Sequence, residues 1–157
     1  MDAAGTDLLI DFLNTVDEET REDEWPDDAA ARAWFRGHGL ATRGVVAREA
    51  RSVRDAIRAA IDGRTPPPAA LAAVPLHAAP GGDGLALASA HPLGPFVAAA
   101  VALAYEGRWD RLKLCDMHSC RYAFYDTSRN RSGRWCTMSI CGNRAKTRAF
   151  RERHRQG

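Results

Sequence analysis

All four cysteines of this 157-residue chain lie within 27 residues, at Cys115, Cys120, Cys136 and Cys141, and the first 114 residues have none. The spacing is C-x4-C, fifteen residues, C-x4-C. Two separated pairs constrain a fold strongly, because each pair needs its own turn and the two turns must meet. Three chemistries compete for such a set. Disulfides suit oxidising compartments, and the acidic N-terminus "MDAAGTDLLIDFLNTV" lacks the basic start of a secretory signal. A redox pair is normally C-x-x-C at a helix start, closer than the spacing here. Zinc takes four thiolates in a tetrahedron at about 2.3 Å, and two knuckles deliver that geometry. Zinc is the preferred reading; unliganded core cysteines and a redox pair are its alternatives. A four-thiolate shell leaves no open position, so one such ion is structural rather than catalytic. His118, between the first two cysteines, reads as a loop histidine outside a shell that is already complete.

Between the pairs, "RYAFYD" alternates like a strand and "SRNRSGR" is a polar turn with three arginines. After the second pair, "NRAKTRAFRERHR" is helical in composition and has no Gly or Pro. The order expected is knuckle, β-hairpin, second knuckle and terminal helix, a treble-clef-like module with Cys141 in the first helical turn. A helix N-terminus favours the thiolate there. Trp109, Phe124, Trp135 and Met138 are expected to form a miniature core beside the metal. On the terminal helix Arg144, Arg148, Arg151 and Arg155 follow steps of 4, 3 and 4 and share one stripe, with Lys146 to the side. Arg129, Arg131 and Arg134 come from the polar turn. Together these residues are candidates for a phosphate-binding surface. Asn143 reads better as a local turn hydrogen bond than as a base-reading group.

Charge divides the chain in the same place. Residues 1–105 carry 9 Lys+Arg and 15 Asp+Glu; residues 106–157 carry 13 and 5. An acidic body with a basic module suggests a polyanionic partner. The expected division is 1–107 and 108–157. In the body, Leu8–Val16 has apolar residues at helical spacing, and "DEETREDEWPDD" reads as a loop. Asp27 or Asp28 caps a short helix to Gly37 that buries Ala30, Ala33 and Trp34. "VVAREARSVRDAIRAAID" is the clearest helix, with an apolar stripe at 46, 50, 53, 57, 60 and 61 and its arginines and acids on the other face. "AVPLHAA" and "LALASA", joined by "PGGDG", predict a β-hairpin, and "HPLGPFVAAAVALAYEG" a further helix. The fold class is therefore α+β, mainly helical. Asp11 and Asn14 share a face of the first helix and are candidates for a ligand pocket or for backbone bonds within the body.

The segment "LCDMHSCRYAFYDTSRNRSGRWCTMSICGNRAKTRAFRERHR" resembles the CGNR zinc finger, named for the tetrapeptide at Cys141–Arg144, over about residues 108–155. The "F-x-D-x-S-R-N", "R-W-C-x-M" and "C-G-N-R-x-K" stretches carry the resemblance with the cysteines. "LLIDFLNTVDEE" and "REARSVRDAIRAAIDG" resemble the ABATE domain that accompanies this finger in bacterial proteins. The resemblance implies a stress-induced transcription regulator whose finger holds zinc and binds DNA. The N-terminal domain is then expected to sense a small effector or to form a homodimer. Docking of the basic helix on RNA or on an acidic protein is the alternative. An enzyme is not expected, since only His118 and His154 are available in the module and neither has a partner at motif spacing. No apolar run approaches the ~18 residues that span a bilayer, so no membrane partner is expected and the cytoplasm is the expected location.

Overall fold

The computed structural model describes residues 3–81 and 84–155. The first helix, α1 (Ala3–Leu13), inserts Leu9, Phe12 and Leu13 into the core at the predicted spacing. Beyond it, the stretch expected to be a loop forms a small antiparallel hairpin, β1 (Val16–Asp17) with β2 (Glu22–Asp23). The reason is local: the Asp17 carboxylate accepts from the N–H groups of Glu19 and Thr20 and closes the turn without any apolar signal. Trp25, directly after it, is fully buried.

Helix α2 (Asp28–Gly37) is capped by Asp27, whose side chain accepts from the Ala30 N–H at 2.8 Å, as expected. Its buried face is Ala31 and Phe35 with Trp34 half-buried, while Ala33 is exposed; the expected face was displaced toward its neighbours. Phe35 is large enough to set the rotation of so short a helix. Helix α3 (Ala47–Ile61) corrects a larger expectation. Ala50, Val53 and Ile57 are buried, and so are Arg54 and Arg58, at 2% and 5% exposure. After α4 (Pro68–Ala72), the predicted hairpin is present as β3 (His77–Gly81) with β4 (Gly84–Ala88), paired antiparallel from His77↔Ala88 to Gly81↔Gly84. Part of its "PGGDG" turn lies outside the described residues. Helix α5 (Gly94–Tyr105) follows and buries Phe96, Val97, Ala100 and Leu103.

An alanine-rich body of this kind needs bulk somewhere, and five aromatic residues supply it. Phe12 stacks on Phe96 with ring centroids 3.9 Å apart, and Trp25, Trp34 and Phe35 surround them at 5.4–6.4 Å. Such contacts add about 0.5–1.5 kcal/mol per pair beyond burial.

A 3-10 turn (Trp109–Arg111) leads into β5 (Leu112–Leu114), which pairs with β6 (Ala123–Tyr125). The alternation in "RYAFYD" does mark a strand. Its partner lies before the first cysteine pair, however, so the hairpin encloses Cys115 and Cys120 rather than the arginine turn. A π-helical turn (Met138–Gly142) then runs into α6 (Asn143–Arg155). Leu112, Leu114 and Ala123 belong to the same apolar cluster as α1, α3 and α5. No helix among the described residues is long and apolar enough to cross a membrane.

Candidate metal centre and basic helix

Cys115 follows β5, Cys120 ends the knuckle turn, Cys136 precedes the π-helical turn and Cys141 lies within it. Their four sulfur atoms all lie within 4.8 Å of one another. Cys120 and Cys136 are 3.6 Å apart and Cys136 and Cys141 3.7 Å, far beyond a disulfide bond. Metal–sulfur bonds of 2.3 Å in a tetrahedron require sulfur–sulfur edges of about 3.8 Å. The set therefore fits a thiophilic divalent cation. His118 is exposed and outside the cluster.

The electrostatics point the same way. Burial, with the Cys120 thiol beside it, pushes Cys136 up to about 11. Burial and the neighbouring thiols push Cys141 up as well. Burial also acts on Cys115, but N–H groups of Cys136 and Met117 and the adjoining thiols outweigh it and bring that thiol down. Neighbouring thiolates repel one another, and a cation between them relieves that repulsion.

Small residues allow the close approach. A Cβ on Gly142 would lie 2.8 Å from Met138 Sδ and 3.3 Å from Trp135 Cδ1. Met117, Trp135 and Ala145 pack against the cysteines. Of the expected miniature core, only Trp135 sits there. Trp109 packs on the N-terminal core, and Met138 is 55% exposed. The Asn143 amide donates to Ser139 O at 3.0 Å, the local turn bond expected of it.

Gly133 serves a second knot. Asp126, buried behind the hairpin, accepts from Lys113 Nζ at 2.7 Å and from the N–H groups of Gly133 and Ser128 at 2.7 and 2.9 Å. A Cβ on Gly133 would meet that carboxylate at 2.8 Å. The bonds from Lys113 and Ser128 hold the Asp126 carboxyl far below the usual carboxylate range. A depressed folded pKa means the stabilisation is complete above the unfolded value of about 3.9 and is lost as the pH falls through the folded value. Asp126→Asn is accordingly expected to lower the thermal midpoint at neutral pH and to flatten the loss of stability below about pH 4, measured by thermal melts across pH. Equal acid sensitivity in both proteins would refute this role.

The knuckle is fastened to the body by groups of which only Asn14 stood out in sequence. The Asn14 side chain donates to Ala123 O at 3.0 Å and accepts from Ala123 N–H at 2.7 Å, acting as one rung of a strand beside β6. Arg58 donates to Leu13 O at 2.9 Å and Arg121 O at 3.0 Å and pairs with Glu18 at 3.2 Å. Arg121, at φ 50°, turns its side chain onto Asp62 at the end of α3. Arg54 bonds Thr15 and Asp23 beside it. The one sequence signal for this pair was the i, i+4 spacing of Arg54 and Arg58 next to Val53 and Ile57, which an exposed helix face also shows. Asp11 lines a cleft of about 950 Å³ with Asn14, Trp34, His38 and Tyr122; its carboxylate is 3.8 Å from His38.

The candidate phosphate-binding residues separate into two groups. Arg144, Arg148, Arg151 and Arg155 line one groove of about 770 Å³ with Ser119, Asn143 and Thr147. All four are exposed. Arg144 also reaches Glu19 at 3.3 Å. Arg131 instead pairs with Asp110 at 2.8 Å through both carboxylate oxygens, and Arg134 pairs with Asp116 at 2.7 Å and lies over the Trp135 ring. Arg129 and Lys146 are exposed and line no part of that groove.

Four thiols shared between a hairpin knuckle and the start of a basic helix define a small metal-finger protein. Family comparison agrees: residues 111–154 match the CGNR zinc finger. Residues 6–115 match the family described as "Putative stress-induced transcription regulator", ABATE, and the chain belongs to that family. A search of curated proteins gave no match.

Proposed function

We propose that this protein is a DNA-binding transcription regulator of the cytoplasm. One zinc ion held by Cys115, Cys120, Cys136 and Cys141 is the scaffold, and α6 is the contact surface. The observation that carries the reading is the exposed groove along α6, where four arginines on one stripe stand beside Asn143 and Thr147. Guanidinium groups spaced along a helix suit phosphate oxygens, which position a protein on a duplex. The zinc needs no open position in this role, and no residue is assigned to catalysis. We take residues 1–107 and 108–157 as the two working units, with the left-handed turn at Gly107 (φ 65°) between them. The N-terminal unit transmits a signal to the finger through Asn14, Arg58 and Asp62. The family description supports regulation, and the charge division supports a polyanion.

Duplex binding measured against salt is expected to give a log–log slope of about −3 to −4, from three or four phosphate contacts. Replacing Arg148, Arg151 and Arg155 by Gln should reduce the slope by about 2–3 and leave metal content unchanged. No binding at low salt discards the reading. Docking on an acidic protein surface is the second reading, favoured by the Arg144–Glu19 pair; affinity for an acidic protein with none for duplex DNA would select it.

A further inference from the structure

Residues 65–105 contain one acidic residue, Asp83, and no lysine or arginine, in a chain that is 27% charged. Some of this tract is core and is apolar for that reason. The β3–β4 hairpin is not. Leu85 is 81% exposed, Leu87 40%, and Tyr105 at the end of α5 90%. The two strands pair only with each other among the described residues, so neither has a strand partner on its outer edge there. β4 carries neither the charge nor the proline that commonly blunts such an edge. A two-stranded ribbon wet on both sides is marginal by itself.

Beside the hairpin runs a groove of about 880 Å³, walled by Leu85–Ala88 and by Gly94, Ala98 and Ala102 of α5. A Cβ on Gly94 would come within 2.3 Å of Ser89 Cβ, so glycine is what lets the hairpin base sit against the helix. Among the described residues the one charged residue on the wall is Glu106, which pairs with Arg108 at 2.9 Å.

We infer that this face is a homodimer interface, and that its occupant is a second copy of this chain. In a twofold contact each group near the axis meets its own copy, so like charges are brought together. Among its described residues this face is charge-poor, on a chain with an acidic body and a basic finger, and that reduces the penalty. The face is also self-complementary. It carries both a protruding side chain, Leu85, and a groove floored by small residues, so a twofold seats each Leu85 in the other copy's groove. A small apolar molecule in the groove would leave Leu85 and the β4 edge in water; a second copy covers all three.

The test is the mass of the 157-residue, metal-loaded chain in solution, by light scattering and sedimentation equilibrium. The wild type is expected at twice 17.1 kDa. Leu85→Lys and Ala102→Glu should each run at the monomer mass with unchanged helical signal and metal content. Mixing the two variants should restore a heterodimer, since the introduced lysine then faces the introduced glutamate. A wild-type protein that stays monomeric to concentrations on the order of 100 μM overturns the inference. So does a dimer that survives both substitutions, or a groove that binds an apolar molecule while the chain stays monomeric.

Discussion

Removing the metal with a strong chelator is expected to unfold the knuckles and α6 while the aromatic heart of the N-terminal domain persists. The four-tryptophan sequence makes this readable. Trp25 and Trp34 pack with Phe12, Phe35 and Phe96, far from the cysteines in contact terms, whereas Trp135 lies against them. Emission from Trp135 should shift and the helical signal of α6 should fall, with the Trp25–Trp34 environment retained. The physical reason is the size of the finger's own core. Among the described residues only Met117, Trp135 and Ala145 pack with the cysteines, and that area cannot offset the chain entropy of ordering residues 115–155. Structural zinc supplies about 10–16 kcal/mol of apparent binding free energy in small fingers. Cys141→Ser should reproduce the chelator's effect permanently, because it removes one ligand and exposes the other three to oxidation. A metal-free chain with unchanged Trp135 emission and circular dichroism would refute the scaffold role. β5 and β6 are expected to respond in between, since Leu112, Leu114 and Ala123 belong to the larger core.

Arg58→Met is expected to destabilise the whole chain by about 3 kcal/mol, read as a shift of the denaturation midpoint without a change in slope. Methionine keeps the apolar stem, so the change isolates the guanidinium. Leu13 O and Arg121 O then lose their donor, and Glu18 loses its partner. A buried carbonyl left unpaired costs about 1–3 kcal/mol, which applies in full to Leu13 O and in part to the half-buried Arg121 O, and Glu18, half in water, adds little. The substitution also cuts the tie between α1, α3 and the knuckle. The finger is therefore expected to show faster amide exchange at Arg121–Ala123 than the rest of the body. A change below 1 kcal/mol with uniform exchange would show that Arg58 merely covers the surface.

The two predictions draw on opposite ends of what was legible in advance. The cysteine spacing is a covalent pattern with few solutions, and it identified the cluster and the knuckles; the helix after Cys141 followed from composition. Helices α1, α3 and α5 and the β3–β4 hairpin also followed from periodicity, because long apolar stripes and glycine turns are local signals. The β1–β2 hairpin was not legible, since Asp17 side-chain bonds close it and the strands are only two residues long. The partner of β6 was missed for a related reason: β5 is three residues, too short for alternation to register. Arg54 and Arg58 were placed on the water side because charge usually belongs there. They are buried because carbonyls at Leu13 and Arg121 and carboxylates at Glu18 and Asp23 converge on them from distant parts of the chain.

The arginine-rich end shows the same division. Spacing put Arg144, Arg148, Arg151 and Arg155 on one stripe and Arg129, Arg131 and Arg134 in the polar turn, but it left both sets as candidates for one surface. Geometry pairs Arg131 with Asp110 and Arg134 with Asp116 and collects Arg144, Arg148, Arg151 and Arg155 in one groove. Sequence by itself determined the chemistry available: four soft ligands, one cationic stripe, and an acidic body. These depend on residue type and on spacing within a few turns. Which cations are already paired, and how the finger is fastened to α1 and α3, was decided only by the tertiary structure. Those contacts join residues up to 109 positions apart, as Asn14 joins Ala123, and no local pattern encodes a partner at that range.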